Sequence, residues 1–253
     1  MRKSSLNTFV VNDKNEVLIS RDTWERKAIT TYREDYYDEL SNLTWTKSNG
    51  YLEHKSSGRL LHRYIMEKWH GVENTQRMLD GKEKWIIEHM NNLGGEYKGF
   101  DNRIQCLTFA SHSSNIVKAF TIDMHRSDTE PDLILHIFFD ISVNRYQVSI
   151  TFTVRTFLRN NKGEHPVKGF RLLYGSDFDV VINEATAIIF EYKKTKQINI
   201  DKLRFLEDFE PVPIELPYLT ASGIERLDYD GTLIIDTTNP FVRLVDLKVG
   251  WDK

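Results

Sequence analysis

The order of elements predicted over residues 84–120 limits the folds open to this chain more than any other stretch. An apolar run at 84–90 ends in two adjacent titratable side chains, Glu88 and His89, and a long glycine-bearing loop follows. A second β-rich run covers 103–110, and SHSSNIVKAF is then typical of a helix that begins at serine caps. The predicted order is strand, long loop, strand and helix, with a histidine ending the first strand.

The chain before this stretch combines short strands with helices. Residues 7–20 predict a hairpin around a turn-forming NDKN sequence, and residues 23–43 predict a helix or an extended turn. Residues 45–61 predict three short strands separated by two turns. LLHRYIMEKWHG predicts an amphipathic helix that ends at Gly71, because its apolar residues recur at four-residue spacing.

Beyond residue 131 the sequence changes to long β-branched runs such as LILHIFFDISV, YQVSITFTVRTFL and FRLLY. This half is predicted to be mostly antiparallel β structure, in a sandwich or a barrel. RSDTEP is the most linker-like stretch, so a domain boundary is expected at 127–131. The expected fold class is α+β, with a first domain over 1–126 and a β-rich domain of unassigned role over 131–253.

Two linked blocks of sequence lie in the first half. The first is YYDELSNLTWTKSNGYLEHKSSGRLLHRYIME, with an acidic lead, a tryptophan, a Gly-Tyr strand and then Leu-His-Arg-x-Ile-Met. The second consists of WIIEHMNN, FDNRIQCL and SHSSN. Together they resemble the HNH, or ββα-metal, nuclease family, and more narrowly its phage and intron homing-endonuclease branch. The resemblance covers roughly residues 35–120. It implies an N-terminal ββα-metal domain, a DNA partner and a phage or mobile-element origin.

The resemblance implies roles for five residues. His89 matches the family's general base, and Glu88 matches a metal ligand that is commonly Asp or His in the family. Asn102 and Arg103 match the turn that leads into the second strand and shapes the loop. Asn115 matches the second metal ligand, which the family carries on the helix.

These residue types suit the hydrolysis of a phosphodiester bond. Neutral imidazole takes a proton from water near pH 7, because its pKa lies close to the working range. A carboxylate and an amide oxygen are hard ligands that suit Mg²⁺ or Mn²⁺. One such site cuts one DNA strand at a time, so the sequence leaves open whether the product is a nick or a double-strand break.

The chain departs from the family pattern at Cys106, where the family has a central asparagine that braces the loop. A thiol is a poor hydrogen-bonding substitute for an amide. The loop before Asn102 is also longer than usual. Two hypotheses therefore stay open: an active DNA endonuclease, and a catalytically degenerate HNH scaffold that binds DNA or a protein.

Four further side chains in the first half are candidates for DNA contacts: His62, Arg63, His112 and Lys118. Each has a structural alternative, namely packing for His62, a cap neighbour or substitute ligand for His112, and a solvated surface position for the other two. The net charge is +2 over residues 1–126 and −5 over 127–253. This asymmetry favours a DNA surface in the first half, and a protein partner or homo-oligomer contact through the second.

A second nuclease-like pattern lies at DFDVVINEATAIIFEYKK. Asp179 and Glu191-x-Lys193 resemble the metal-binding hairpin of the restriction-endonuclease-like fold. Alternation along a strand would place Glu191 and Lys193 on one face. The competing interpretation is an ordinary amphipathic hairpin, because such residues flank apolar strands in many β proteins.

The remaining features concern the cellular setting. A single cysteine excludes an intramolecular disulfide and a multi-cysteine zinc site within one chain. No run approaches the ~20 apolar residues that span a bilayer, and the first residues lack the apolar core of a secretion signal. A cytoplasmic protein with no membrane partner is expected.

Overall fold

The chain folds into two compact units, one comprising Met1–Ala110 with Phe138–Ser142 and the other Ser111–Ile137 with Val143–Lys253. Helices and sheets are mixed in the chain, which confirms the α+β class. The predicted boundary at 127–131 lies outside the described residues. The computed structural model describes residues 6–81, 84–90, 97–111, 133–160, 163–213, 225–227, 233–235 and 242–246.

The first unit contains short strands and three helices in its described part. The strands are β1 (Thr8–Val11), β2 (Glu16–Ser20), β3 (Ala28–Thr31), β4 (Trp45–Ser48), β5 (Tyr51–His54), β6 (Ile86–His89), β7 (Asp101–Asn102) and β8 (Leu107–Ala110). The helices are α1 (Glu34–Asn42), α2 (Leu61–His70) and α3 (Val72–Asp80). One sheet has the order β1-β2-β3-β7, β4 pairs with β5, and β6 pairs with β8.

The predicted hairpin at the start of the chain is confirmed as β1 and β2, which pair antiparallel. Its turn is held by Asn12, whose side-chain oxygen accepts from the backbone N–H groups of Lys14 at 3.0 Å and Glu16 at 2.9 Å. Asn15 takes a left-handed conformation with φ 56°, which asparagine tolerates better than most residues. The local sequence therefore determines this turn.

The helix predicted from LLHRYIMEKWHG is confirmed as α2, which ends at Gly71 with φ 87°. Its inner face includes the wholly buried Tyr64, which packs edge-on against Trp45 with the ring centroids 5.7 Å apart. The prediction of a third strand before this helix is wrong, because only an isolated bridge joins Glu53 to Leu60 there. The chain enters α2 directly after that bridge.

The second unit contains a mainly antiparallel sheet and one long helix in its described part. The elements are β9 (Leu133–Asp140), β10 (Arg145–Asn160), β11 (Gly163–Tyr174), α4 (Phe178–Thr195), β12 (Asp208–Pro213), β13 (Glu225–Leu227), β14 (Leu233–Ile235) and β15 (Val242–Asp246). Strands β9 to β12 neighbour one another in sequence order. β10, β11 and β12 pair antiparallel, and β15 runs parallel to β10. The last residues of β9, from Phe138, are assigned to the first unit.

Helix α4 corrects the prediction of a β-hairpin at this place. Its first turn is capped by Asp177, whose carboxylate accepts from the N–H groups of Asp179 at 3.0 Å and Val180 at 3.3 Å. The Phe178 ring lies 5.2 Å from Tyr146 of β10, so the helix packs on the sheet. The predicted sandwich or barrel did not include this helix.

No helix in the described ranges is both long enough and apolar enough to cross a bilayer.

Candidate active site

The two predicted strands around the long loop are present as β6 and β8. They pair antiparallel, with His89 opposite Leu107, and the N–H of Met90 extends the pairing by donating to the carbonyl of Cys106 at 2.8 Å. The second strand begins at Leu107 rather than at residue 103, because Ile104–Cys106 form a 3₁₀ turn. The helix predicted after Ser111 lies outside the described residues.

Glu88 and His89 occupy different environments although they are neighbours. Glu88 is 8% exposed, whereas His89 is only half-buried. Alternation along β6 explains the difference, since successive side chains point to opposite faces of a strand. A strand that ends in this pair thus combines an inward carboxylate with an imidazole that solvent can reach.

The His89 ring is oriented by the buried amide of Asn102. The Asn102 side chain is wholly buried, its Nδ2 donates to the carbonyl of Gly99 at 3.0 Å, and its Oδ1 lies 3.2 Å from Nε2 of His89. A carbonyl only accepts hydrogen bonds, so Gly99 fixes which end of the amide faces the histidine. The Asn102 oxygen then requires a proton on Nε2, which leaves the Nδ1 lone pair of His89 as its basic position.

The backbone of Asn102 is also fixed in place. β7 pairs parallel with β3, with Asn102 opposite Thr30, and the Thr30 hydroxyl donates to the Asn102 carbonyl at 2.9 Å. The resemblance assigns the bracing amide to the position of Cys106. In the structure a bracing amide is present at Asn102 instead. The Cys106 thiol is buried, and burial raises its pKa to about 11.

Two further rings complete what we call the ring cluster, which consists of Tyr51, His62 and His89. The His62 ring lies edge-on to His89 with the centroids 5.0 Å apart, and Tyr51 lies 5.5 Å from His62 and 5.6 Å from His89. Burial lowers the pKa of His62 to about 3, and the nearby charges of His89 and Arg63 act in the same direction. His62 is therefore neutral at physiological pH, and it packs against His89.

The surroundings of His89 favour its neutral form. Burial lowers the pKa of His89 below its usual value of 6.5, while the Asn102 hydrogen bond and the charges of Asp101 and Glu88 act in the opposite direction. The net lowering keeps the imidazole unprotonated at pH 7. A neutral, half-buried imidazole with one nitrogen anchored is the form that a general base requires.

Arg103 holds the loop rather than facing a ligand. Its guanidinium donates to both carboxylate oxygens of Asp101, at 2.9 and 2.7 Å, and through Nη1 to Glu16 at 3.0 Å. Asp101 is 3% exposed, and these partners raise the pKa of Arg103. The arrangement ties the residues around Asn102 to β2.

Gly99 lies directly against the ring cluster. A Cβ atom at this position would stand 2.1 Å from Cδ1 of Tyr51, closer than any real contact. Its N–H donates to the carbonyl of Gly50 at 2.9 Å. Sequence reasoning did not single out Tyr51, Gly99 or Asp101. The available signal for Asp101 was its place in FDNRIQCL, directly before the turn residues Asn102 and Arg103.

The other predicted site residues fall into two groups. Arg63 does not join the ring cluster with its guanidinium, which binds Glu67 and Gln76 instead. Asn115, the predicted second metal ligand, lies outside the described residues, as do the two remaining candidates for DNA contacts. The described residues therefore bring together His89, Asn102 and His62. The candidates outside the described ranges are Asn115, His112 and Lys118.

The second nuclease-like pattern is not a hairpin. Glu191 and Lys193 lie in α4, where two residues are about 200° apart around the axis, so they do not share a face. Glu191 pairs instead with Lys202 at 2.7 Å, and Asp179 belongs to the first turn. The helix removes the geometry on which that metal site depended.

The donors for a cation in the described part of the chain are limited. No group of three or more His, Cys, Asp or Glu side chains is arranged there to hold a metal ion. Glu88 next to His89 supplies carboxylate oxygens, the chemistry that a hard divalent ion prefers.

Comparisons of this chain with protein-family models, with curated proteins and with solved structures return no match.

Proposed function

We propose that the chain is a divalent-metal-dependent DNA endonuclease of HNH type, with His89 as the general base. One observation supports this most strongly: the Gly99 carbonyl orients the Asn102 amide, and the amide anchors Nε2 of His89. The bonds are made by a wholly buried side chain. A surface histidine without a chemical role would not need a buried amide to orient its ring.

The reaction follows from the state of the imidazole. Nδ1 of His89 removes a proton from a water molecule, and the resulting hydroxide attacks the phosphorus. The bond from phosphorus to the 3′ oxygen breaks, and that oxygen leaves with the electron pair and is protonated by solvent. His89 then returns its proton to water. Loss of such a base typically slows a reaction by about 10²- to 10⁴-fold.

Glu88 and Asn115 would hold the metal ion, Mg²⁺ or Mn²⁺. The Glu88 carboxylate supplies hard oxygen ligands, the type that such an ion prefers. When bound, the ion neutralises charge on the phosphate oxygens and on the leaving oxygen. Asn102 would take no part in this binding, because its amide oxygen already accepts from His89.

The test is cleavage of supercoiled plasmid with Mg²⁺ or Mn²⁺ by the full chain, His89→Ala and His165→Ala. His165 is exposed in the second unit, so its replacement controls for loss of a histidine and for contaminating nucleases. We expect metal-dependent nicking in the wild type and His165→Ala, and its loss in a folded His89→Ala. Cleavage that survives His89→Ala refutes the proposal. Duplex binding without cleavage under any metal supports the degenerate scaffold.

A further inference from the structure

A groove of about 700 Å³ lies beside α2 in the first unit. It begins at the turn that precedes the helix and extends along the helix towards α3. The lining residues that matter here are Ser57, Arg59, Arg63, Glu67 and Gln76. None of them takes part in the ring cluster.

The groove contains two guanidinium groups and one buried carboxylate. Glu67 accepts from Nη2 of Arg59 on one oxygen, and from Nε of Arg63 at 2.9 Å on the other. The Glu67 side chain is 5% exposed, whereas those of Arg59 and Arg63 are 34% and 38% exposed. The buried Glu67 carboxylate thus anchors both arginines, and part of each arginine side chain is open to solvent. The lining carries one positive charge in excess.

Both arginines are held in place before any ligand arrives. The Arg59 guanidinium stacks over Tyr64 at 5.1 Å from the ring centroid, and Nη2 of Arg63 donates to Gln76. Fixed guanidinium forks match the geometry of phosphate oxygens, and the entropy cost of ordering them on binding is already met. Among the described contacts, the Nη1 groups of both arginines remain for a ligand.

An ordinary structural ion pair would need one arginine for one carboxylate. Here the second arginine is not neutralised within the groove lining, and burial together with the like charge of Arg63 lowers the pKa of Arg59. The charge of Glu39 acts on Arg59 in the opposite direction, but the Glu39 carboxylate pairs directly with Lys68 at 2.6 Å. An anion bound between the two guanidinium groups would relieve the excess positive charge.

The position of the groove relates it to the candidate active site. His62 and Arg63 are consecutive residues of α2, about 100° apart around the helix axis. His62 packs against His89, while Arg63 lines the groove. We infer that the groove bounded by Arg59 and Arg63 binds a backbone phosphate of duplex DNA away from the bond that is cut. The identity of this ligand rests on the proposed function.

The test measures binding of a fluorescent duplex across a salt series, without metal and in a His89→Ala background that cannot cut. Each lost phosphate contact lowers the magnitude of the negative slope of log K against log salt by about 0.9. We expect this decrease for Arg59→Gln and for Arg63→Gln, with equal weakening for unrelated sequences. Arg204→Gln, a change in an exposed turn of the second unit, should leave the slope unchanged.

Two further variants separate charge from packing. Arg63→Lys keeps the charge and should keep the slope, even where Arg63→Gln is too unstable to measure. Glu67→Gln removes the one carboxylate and should strengthen duplex binding, whereas a purely structural network would show no gain.

The inference is overturned if Arg59→Gln and Arg63→Gln both give the same salt slope as Arg204→Gln. It is also overturned if the protein does not bind duplex DNA at all. If the expected slopes are measured but the wild-type protein never cleaves DNA, the catalytic proposal is refuted, while the inference that the groove binds a phosphate still holds.

Discussion

Replacement of Asn102 by aspartate tests the orienting contact at the candidate active site. The two side chains have nearly the same shape, so packing around the wholly buried position is kept. An ionised carboxylate cannot donate to the Gly99 carbonyl, and it places a negative charge where Oδ1 now lies, 3.2 Å from Nε2 of His89. The variant should therefore change both the stability of the protein and the protonation of the histidine.

The expected sizes follow from these contacts. An opposite charge at this distance raises the pKa of a histidine by about 1 to 3, which acts against the lowering present in the wild type. The lost donor leaves the Gly99 carbonyl without its partner, at a cost of about 1–3 kcal/mol. Once the folded pKa of His89 exceeds its unfolded value, the charge pair stabilises the variant at low pH, and this contribution is lost as pH rises through the new pKa.

The measurement is a proton and nitrogen NMR titration of the histidine rings in metal-free buffer, with urea unfolding across the same pH range. The control is Asn7→Asp, which removes the donor that Asn7 offers to the Trp45 carbonyl at 3.1 Å and should lower stability without moving His89. An unchanged or lower His89 pKa in Asn102→Asp refutes the orienting role. A wild-type ring that carries its proton on Nδ1 refutes it as well.

Three other outcomes are expected. Burial lowers the pKa of His70 to about 3, so at this residue the unfolded chain binds one more proton between that value and 6.5. His70 should contribute about 2 kcal/mol to the stability that is lost between pH 7.5 and pH 5, and His62, whose pKa is also lowered to about 3, should contribute a similar amount. Urea unfolding of His70→Phe should show the loss of the His70 component alone. The buried Cys106 thiol, with a pKa of about 11, should react with a disulfide reagent only slowly near neutral pH and rapidly in urea; fast reaction of the folded protein contradicts this. Glu191→Gln breaks only the surface pair with Lys202 and should change the unfolding free energy by less than about 1 kcal/mol; loss of plasmid cleavage in this variant would restore the second site.

The elements that could be predicted from the sequence are those fixed by local chemistry. Helix α2 follows from apolar residues at four-residue spacing and from Gly71 at its end. Helix α4 was missed because Val181, Ile182, Ile188 and Ile189 have the composition of a strand. Their burial instead follows helical spacing. The sequence signal for the helix was Asp177, a residue type that commonly caps a helix N-terminus.

The candidate site was predicted less completely, because much of it depends on contacts between distant segments. His89 could be selected from its place at a strand end and from the resemblance. The bracing function could not be assigned to Asn102, since it needs the carbonyl of Gly99 and the pairing of β7 with β3. Tyr51 lies 38 positions before His89, and nothing in a linear pattern relates the two rings.

The bond between Arg103 and Glu16 connects residues 87 positions apart. Every side chain of the ring cluster comes after residue 50, so a shortened protein that starts at α1 would keep all three rings. It would lack the carboxylate that fastens the loop, and also the strand on which Asn102 is aligned. The smallest fragment that keeps His89 and Asn102 in this arrangement therefore begins at the first hairpin, more than 70 residues before the histidine.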